Sequence, residues 1–414
     1  MAKPKLALIP ATQGSKLYSV LPADGVGDFD FSRGSAATRI NKDGLIETVA
    51  SGVSRLNYPL IDGVVNGCPS HLLEPERLQK IQYSEDFSNA AWSKGNSTVT
   101  ANQAISPDGS QTADLLQLTS AGGNVYDGVG GSGDYAFSVF AKYVDAQFIR
   151  LRSTGSYAYF DIQNGSVGST INVSSTKIED YGNGWYRCTV VGNNTNSLAQ
   201  IFVSDTDGSN TGTGSVYLWG AQLEQGSYAT SYIPNYGTSA GITRSAETAN
   251  GAGDASTFND SEGVLMAEIS GLANDLSNRI LSLSNGAYNN STRIGYNTTS
   301  NSIEYRVVSS SSIQAQLIYA LPDIKTNNKI SVKYKSNDFA LWVNGFKVAT
   351  DTSGLTSIGL DRLNFDDGGG SADFYGKAKQ IQYFDSALND SDLETITSWT
   401  SFTDLANGQT YSIK

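Results

Sequence analysis

Apolar and polar residues alternate with a period of two along most of this chain, which is the pattern of β-strands. The clearest stretch is Ser215–Pro234, SVYLWGAQLEQGSYATSYIP. Its alternation predicts two strand faces, with Val216, Leu218 and Gly220 on one and Tyr217, Trp219 and Ala221 on the other. Because both faces carry large apolar side chains, we expect a core on one side and another sheet, subunit or ligand on the other.

A second series of alternating segments begins near residue 259. Two of these segments, Phe339–Val343 and Phe346–Ala349, flank the dipeptide Asn344-Gly345. Asparagine followed by glycine favours a type I′ turn, because both central residues of that turn need a positive φ. The sequence therefore predicts a β-hairpin at this point.

The end of the chain carries one helix signal. Asn389 followed by Asp392 resembles a capping box and predicts a short helix that runs to about Ser398. The remaining residues, 399–414, form a tail that could make a small hairpin.

Two segments lack a strand series of their own. Residues 1–78 hold short strand-like pieces, and their interspersed arginines, such as Arg33 and Arg55, suit an arm held to another chain by paired charges. A β-meander that leans on the next domain fits the same residues. Residues 235–258 are small, polar and rich in glycine, which predicts a linker.

Composition supports an all-β protein. Of 414 residues, 39% are hydrophobic and 16% charged, with 43 glycines and 22 tyrosines. Charged helix formers are therefore scarce, while turn and strand formers are abundant. The net charge of −12 disfavours nucleic acid and anionic membranes as partners. No apolar run approaches the roughly 20 residues of a membrane helix, and we expect synthesis in a cytoplasm without a secretory signal.

Three motifs between residues 79 and 234 carry a resemblance. They are Tyr83-Ser-Glu-Asp-Phe87 with Trp92, Asn183-Gly-Trp-Tyr-Arg187, and Leu218-Trp-Gly-Ala-Gln-Leu-Glu224. Together they resemble the jelly-roll of carbohydrate-binding modules, in the version found in bacteriophage head spikes and tail fibres. The preceding segments FSRGSAATRINKDGLIE and NGCPSHLLEPERLQ are similar to those that introduce this jelly-roll in phage proteins.

Residues 259–398 resemble the concanavalin A-like, laminin-G-type β-sandwich. The motifs are Trp342-Val-Asn-Gly345, Phe374-Tyr-Gly376 and Ile381-Gln-Tyr-Phe384. The expected order is an N-terminal attachment or oligomerisation arm (1–78), a jelly-roll (79–234), a linker (235–258), a concanavalin A-like sandwich (259–398) and a C-terminal tail (399–414).

These resemblances imply a structural bacteriophage virion appendage, a head fibre, head spike or tail fibre, made in the bacterial host cytoplasm and located in the virion. The expected partners are other virion proteins, two further copies in a homotrimer, and a host-surface glycan bound during host adsorption. A structural decoration protein without glycan binding is the alternative, and a polysaccharide depolymerase is a third.

Aromatic rings cover the apolar faces of sugars while amides satisfy sugar hydroxyls. The carbohydrate-binding candidates are Tyr157, Tyr159, Tyr217 and Trp219, whereas Phe160 on the opposite strand face is expected in the core.

No carboxylate pair suits catalysis, because the adjacent acids Glu179 and Asp180 point to opposite sides of a strand. The protein is therefore predicted not to be an enzyme and to need no cofactor. Calcium, common in both resembled families, stays open. Three groups of loop acids could bind it or could form bare turns: Glu85-Asp86, Asp205 with Asp207, and Asp366-Asp367.

Overall fold

The computed structural model describes residues 3–13, 16–129, 131–153, 155–194 and 198–399. The regular secondary structure of this part of the chain consists of strands and one short helix. The first ten strands are β1 (Leu6–Gln13), β2 (Lys16–Leu21), β3 (Phe29–Ser32), β4 (Ala37–Ile40), β5 (Ile46–Val49), β6 (Arg55–Asn57), β7 (Leu60–Ile61), β8 (Val64–Val65), β9 (Ser70–Leu73) and β10 (Arg77–Gln79).

The next twelve strands lie between residues 93 and 225. They are β11 (Ser93–Gly95), β12 (Ser97–Ala104), β13 (Ala113–Leu118), β14 (Asn124–Asp127), β15 (Gly133–Tyr143), β16 (Phe148–Ser153), β17 (Ser156–Asp161), β18 (Ser166–Ile171), β19 (Ser175–Asp180), β20 (Trp185–Asn194), β21 (Ala199–Ser204) and β22 (Ser215–Gln225).

The last twelve strands and one helix follow. They are β23 (Ile242–Arg244), β24 (Thr248–Asn250), β25 (Glu262–Gly271), β26 (Arg279–Ser284), β27 (Ser291–Tyr296), β28 (Ser302–Ser309), β29 (Ser312–Ala320), β30 (Asn328–Lys335), β31 (Phe339–Val343), β32 (Phe346–Asp351), β33 (Arg362–Asn364), β34 (Gly376–Phe384) and α1 (Asp390–Ser398).

The first sandwich consists of two antiparallel sheets. One has the order β12-β13-β22-β15-β20-β19, with β10 on β22 and β23 on β10, and the other has the order β11-β14-β21-β16-β17-β18. Side chains that alternate along these strands fill one shared core, in which Phe137, Leu151, Phe160 and Leu218 are fully buried. The prediction that Phe160 belongs to the core is confirmed.

A β-bulge at Gly220 changes the alternation of β22. Gly220 has φ +62° and the register against β15 shifts beside it, which inserts one extra residue into the strand. Ala221 consequently joins Val216 in the core between the sheets. The predicted placement of Ala221 on the face of Tyr217 was wrong, because a strict period of two does not pass through a bulge.

The second sandwich has two sheets as well. The larger has the order β24-β3-β2-β1-β34-β25-β30-β31-β32, with β9 also on β34 and β6 on β9, and the smaller has the order β29-β28-β27-β26-β33. Their shared core includes Leu265, Ile294, Tyr305, Leu341 and Ile381, all fully buried. The all-β fold with two successive β-sandwiches is confirmed.

Residues from the predicted arm and linker take part in both sandwiches. Strands β1 to β3 add to the larger sheet of the second sandwich, where Leu6 pairs with Tyr383. The β4–β5 hairpin instead covers the outer face of the first sandwich through Ile40 and Ile46. In the predicted linker, β23 pairs with β10 and β24 pairs with β3. The domain boundaries themselves stay a prediction.

Buried charges hold these segments together. We call the following residues the charge cluster: Arg33, Arg55, Glu74, Arg244 and Glu247. Glu247 accepts hydrogen bonds from Arg33 Nη1 at 2.7 Å and Arg55 Nε at 2.8 Å. Glu74 pairs with Arg244 at 2.8 Å. Of the two interpretations of this segment, pairing of Arg33 and Arg55 with another chain was wrong, because both pair with Glu247 of this chain.

Both local signals near the end of the chain are confirmed. Val343 pairs with Phe346 around a two-residue turn in which Asn344 and Gly345 have φ of +49° and +89°. Asn389 Oδ1 accepts a hydrogen bond from Asp392 N at 3.0 Å. Among the described residues, no helix is long and apolar enough to cross a bilayer. The predicted tail hairpin lies outside the described residues beyond position 399.

Candidate functional site

The outer face of the six-stranded sheet in the first sandwich carries aromatic, guanidinium and amide side chains in two rows. Inward residues of the same strands, such as Val125 and Ile201, are core, so their neighbours in sequence must point outward. We call these outward residues the aromatic face: Tyr126, Gln200, Arg152 and Tyr157 in one row, and Asn124, Phe202, Arg150 and Tyr159 in the other.

Arg150 lies at the centre of the second row. Its guanidinium is 3.7 Å from the Phe202 ring centroid and 5.0 Å from that of Tyr157. Such cation–π contacts are worth about 0.5–2 kcal/mol, the more so when water is excluded. Burial lowers the pKa of Arg150, opposed by the neighbouring Tyr159, but an arginine stays charged at neutral pH. The face therefore carries a fixed positive charge beneath its rings.

Tyr159 is a buried member of the aromatic face. It is only 2% exposed, and its hydroxyl donates a hydrogen bond to Asn210 Oδ1 at 2.9 Å. Burial raises its pKa, so the hydroxyl stays protonated and this hydrogen bond persists. The Tyr159 ring meets the half-buried Tyr157 ring edge-on, with centroids 6.2 Å apart. Tyr159 thereby orients Tyr157, which is the more accessible of the two.

The first row presents polar groups between two accessible tyrosines. Gln200 Nε2 donates to Asn124 Oδ1 at 2.9 Å, and Arg152 Nη1 donates to Gln200 Oε1 at 3.3 Å. Tyr126 is 38% exposed and is separated from Tyr157 by three strand spacings, roughly 14 Å. These hydrogen bonds hold the amides in place before any ligand arrives, and the row is longer than one sugar ring.

Tyr217 and Trp219 lie on the other sheet and do not join the aromatic face. Trp219 is 1% exposed, and its Nε1 donates to Thr112 Oγ1 at 3.1 Å. Its ring packs 4.7 Å from that of Tyr232 beneath the β4–β5 hairpin, with Tyr217 half-buried beside it. The prediction that both faces of β22 are covered holds, but the cover over Trp219 is this chain's own N-terminal segment. Trp219 therefore has no surface to offer a glycan.

Sequence reasoning missed Arg150, Gln200 and Phe202. The signal was present, because FIRLRS and AQIFVS alternate core residues with these outward ones. Recognising these residues as one surface required the pairing of β16 with β21, which places Arg150 opposite Phe202 and Arg152 opposite Gln200.

A cavity of about 250 Å³ lies where the first sandwich, the N-terminal segment and the second sandwich meet. Glu179 lines it and pairs with Lys177 at 2.6 Å. Burial alone would raise the pKa of Glu179, but the charges of Lys177 and Arg187 outweigh it and the pKa is lowered. A general acid in glycoside hydrolysis needs a raised pKa, so Glu179 does not suit that role.

Three of the loop acids considered for calcium accept hydrogen bonds from backbone N–H groups, two of them within their own turns and Asp207 from strand β18. Asp366 accepts from Gly368 N at 2.7 Å, Asp86 from Asn89 N at 3.0 Å, and Asp207 from Ser169 N at 2.8 Å. Within the described ranges, no group of three or more histidine, cysteine, aspartate or glutamate residues could hold a metal ion.

Several solved structures are similar to part of this chain. The carbohydrate-binding module CBM40 of a Ruminococcus gnavus IT-sialidase, bound to α2,3-sialyllactose, has 16% identity and a TM-score of 0.31, covering 36% of this chain and 88% of its own. Domain 4 of the arabinanase AbnA from Geobacillus stearothermophilus, in complex with arabinotriose, has 9% identity and a TM-score of 0.30, covering 37% and 73%.

The module CBM66 from Bacillus subtilis has 14% identity and a TM-score of 0.24, covering 30% of this chain and 75% of its own. No family model and no curated protein sequence matches the chain.

Proposed function

We propose that this protein is a non-enzymatic bacteriophage virion appendage whose first sandwich binds a host-surface glycan through the aromatic face. The observation that carries the glycan part is the row Tyr126, Gln200, Arg152 and Tyr157, in which two accessible rings flank pre-oriented amide and guanidinium groups. The virion part is supported by the sequence motifs of residues 79–234 and the segments before them.

Sugar binding fits the chemistry of this row. A tyrosine ring can stack on the apolar C–H face of a pyranose, which is worth about 0.5–1.5 kcal/mol for an aromatic contact. Amides of Asn124 and Gln200 and the guanidinium of Arg152 offer hydrogen bonds to ring hydroxyls. A neutral glycan is the expected ligand, because the net charge of −12 repels polyanions at long range.

One such site binds weakly, and many copies on one virion would raise the overall avidity. A particle that carries many copies makes its second contact intramolecular, which raises the overall avidity without any new interaction. A homotrimer is part of this proposal because it would present three aromatic faces together.

A second candidate function, structural contact with another virion protein, is favoured by the β7–β8 hairpin. Ile61 and Val64 at this hairpin are 54% and 66% exposed, and clustered exposed apolar side chains often mark protein contacts. A purely structural decoration protein would use such surfaces and leave the aromatic face unoccupied.

Two experiments test the proposal. The full-length protein is applied to a glycan array, where we expect binding to neutral glycans that is weakened in Tyr126→Ala and retained in Tyr18→Ala, a tyrosine of equal exposure on β2. Gold-labelled antibody on purified phage particles then locates the chain. Array binding without particle labelling would reject the virion role, and labelling without array binding would favour structural decoration.

A further inference from the structure

A polar recess lies on the outer face of the smaller sheet in the second sandwich and shares no residue with the aromatic face. This recess, which we call the arginine cavity, has a volume of about 150 Å³ and is lined by Tyr288, Arg293, Gly295, Glu304, Arg306 and Asp367 among others. It is smaller than the roughly 300–1,000 Å³ of sites for drug-sized ligands. The arginine cavity can therefore hold one small group or sugar ring, not an oligosaccharide.

The two arginines of this cavity lie directly opposite each other on neighbouring strands, β27 and β28. Like charges in that position destabilise a sheet. Arg306 has a counter-charge in Glu304, which also accepts from Gln316 Nε2 at 2.8 Å. Arg293 forms no ion pair within the described ranges, although it is only 4% exposed.

Arg293 keeps free donors as well. Its Nε and Nη2, together with Arg306 Nε, have no hydrogen-bond partner among the residues described. Leaving buried guanidinium N–H groups without a hydrogen-bond partner is unfavourable. The Tyr288 ring covers one face of the Arg293 guanidinium but supplies no acceptor for Nε and Nη2, so a ligand in the cavity would be needed to accept from them.

The free atoms of Arg293 have the geometry for one kind of ligand. Nε–H and the adjacent Nη2–H form one side of the guanidinium fork, which matches the two oxygens of a planar carboxylate. The negative charge that a ligand can carry is limited by Glu304 and Asp367, whose carboxylates line the same cavity. They would repel a dianion such as phosphate more strongly than a carboxylate.

The rest of the cavity suits a sugar that carries the carboxylate. Gly295 lies at the cavity floor, where β27 runs so close to β26 that a Cβ would lie 2.6 Å from Arg279 O. Tyr288 forms a wall that is 45% exposed, with the Arg293 guanidinium 4.0 Å from its ring centroid. A hydrogen bond with Arg293 lowers the pKa of Tyr288 despite its partial burial, as expected beside uncompensated positive charge.

The geometry points to a binding site for the carboxylate of an acidic monosaccharide, held by the Nε–Nη2 edge of Arg293 with Arg306 beside it. This site consists of residues of the second sandwich, whereas the aromatic face belongs to the first. The inference is therefore independent of glycan binding at the aromatic face.

The test is a titration of the full-length protein by calorimetry with D-glucuronate, with D-glucose as the uncharged counterpart. We expect glucuronate to bind at least about tenfold more tightly than glucose, which corresponds to about 1.4 kcal/mol. Arg293→Gln should lose at least about tenfold in glucuronate affinity, and Arg293→Lys should lose part of it, because an ammonium lacks the planar fork. Arg362→Gln, a control on β33 of the same sheet and outside the cavity, should bind like the parent protein.

Four outcomes would overturn the inference: no glucuronate binding by the parent protein, equal binding of glucose, unchanged affinity in Arg293→Gln, or displacement of glucuronate by a lower concentration of inorganic phosphate. Thermal unfolding without ligand gives an independent reading. Arg293→Met should unfold at the same or a higher temperature than the parent, because it removes an unpaired buried charge. A clearly lower unfolding temperature would make Arg293 a structural residue of the fold.

Discussion

Replacing His71 by leucine should make the stability of this protein less sensitive to acid. His71 lies in β9 between β6 and β34 and is 1% exposed. Neither of its ring nitrogens has a hydrogen-bond partner among the described residues. Burial disfavours the charged ring and lowers the pKa of His71 from 6.5 to about 4.

The sign and size of the effect follow from this pKa. Below pH 6.5 the unfolded chain binds a proton at His71 that the folded chain does not accept until about pH 4. Stability that is present above pH 6.5 is therefore lost as the pH falls from 6.5 to 4. At about 1.36 kcal/mol per pH unit, the loss is about 2 kcal/mol by pH 5 and about 3 kcal/mol in full.

Other groups titrate in the same range, so the comparison must be a difference. Burial raises the pKa of Asp114 to about 6, and its contribution to stability grows as the pH falls, opposite to that of His71. Subtracting the unfolding free energy of the parent from that of His71→Leu at each pH removes this shared term. Ser70→Ala, on the same strand, is the control whose difference from the parent should not vary with pH.

Two assays check this prediction. Because the chain holds one histidine, its ring proton signals in NMR report the pKa of His71 directly in the folded protein. Urea unfolding between pH 7 and pH 4.5 gives the free energies. A folded-state pKa near 6.5, or a difference between His71→Leu and the parent that stays constant with pH, would refute the reasoning.

Three further substitutions probe the charge cluster and the strand β22 that the N-terminal segment covers. Glu247→Gln removes the carboxylate shared by Arg33 and Arg55 and should lower the free energy of unfolding by about 3–5 kcal/mol in urea titrations. Trp219→Ala empties a buried site and should likewise lose about 3–5 kcal/mol, seen as a marked drop in the thermal unfolding temperature. Gly220→Ala forces a side chain into a positive-φ bulge and should lose more than about 1 kcal/mol in the same assay.

Local patterns in the sequence were sufficient for the strands and turns. The Asn344-Gly345 hairpin and the Asn389 cap depend only on neighbouring residues, and both form as predicted. The period of two also separated Tyr157 from the core residue Phe160, because no bulge shifts the outward position that Tyr157 takes against Arg152 in β16.

Long-range contacts could not be predicted in this way. Arg33 pairs with Glu247 across 214 residues, and nothing in the local pattern of either residue indicates its partner. The burial of Trp219 has the same origin, since the hairpin that covers it comes from a distant part of the chain. The aromatic face needed the register of four strands, which single-strand alternation does not supply.

The most direct test of the central claim is the affinity of Tyr157→Ala for the best neutral glycan from the array. Losing one stacking aromatic should weaken binding by roughly 1 kcal/mol, about fivefold in a monovalent titration of the full-length protein. Tyr18→Ala should bind like the parent, and both variants should keep the parent unfolding temperature within a few degrees. Unchanged affinity in Tyr157→Ala, or an equal loss in Tyr18→Ala, would contradict a glycan site on the aromatic face.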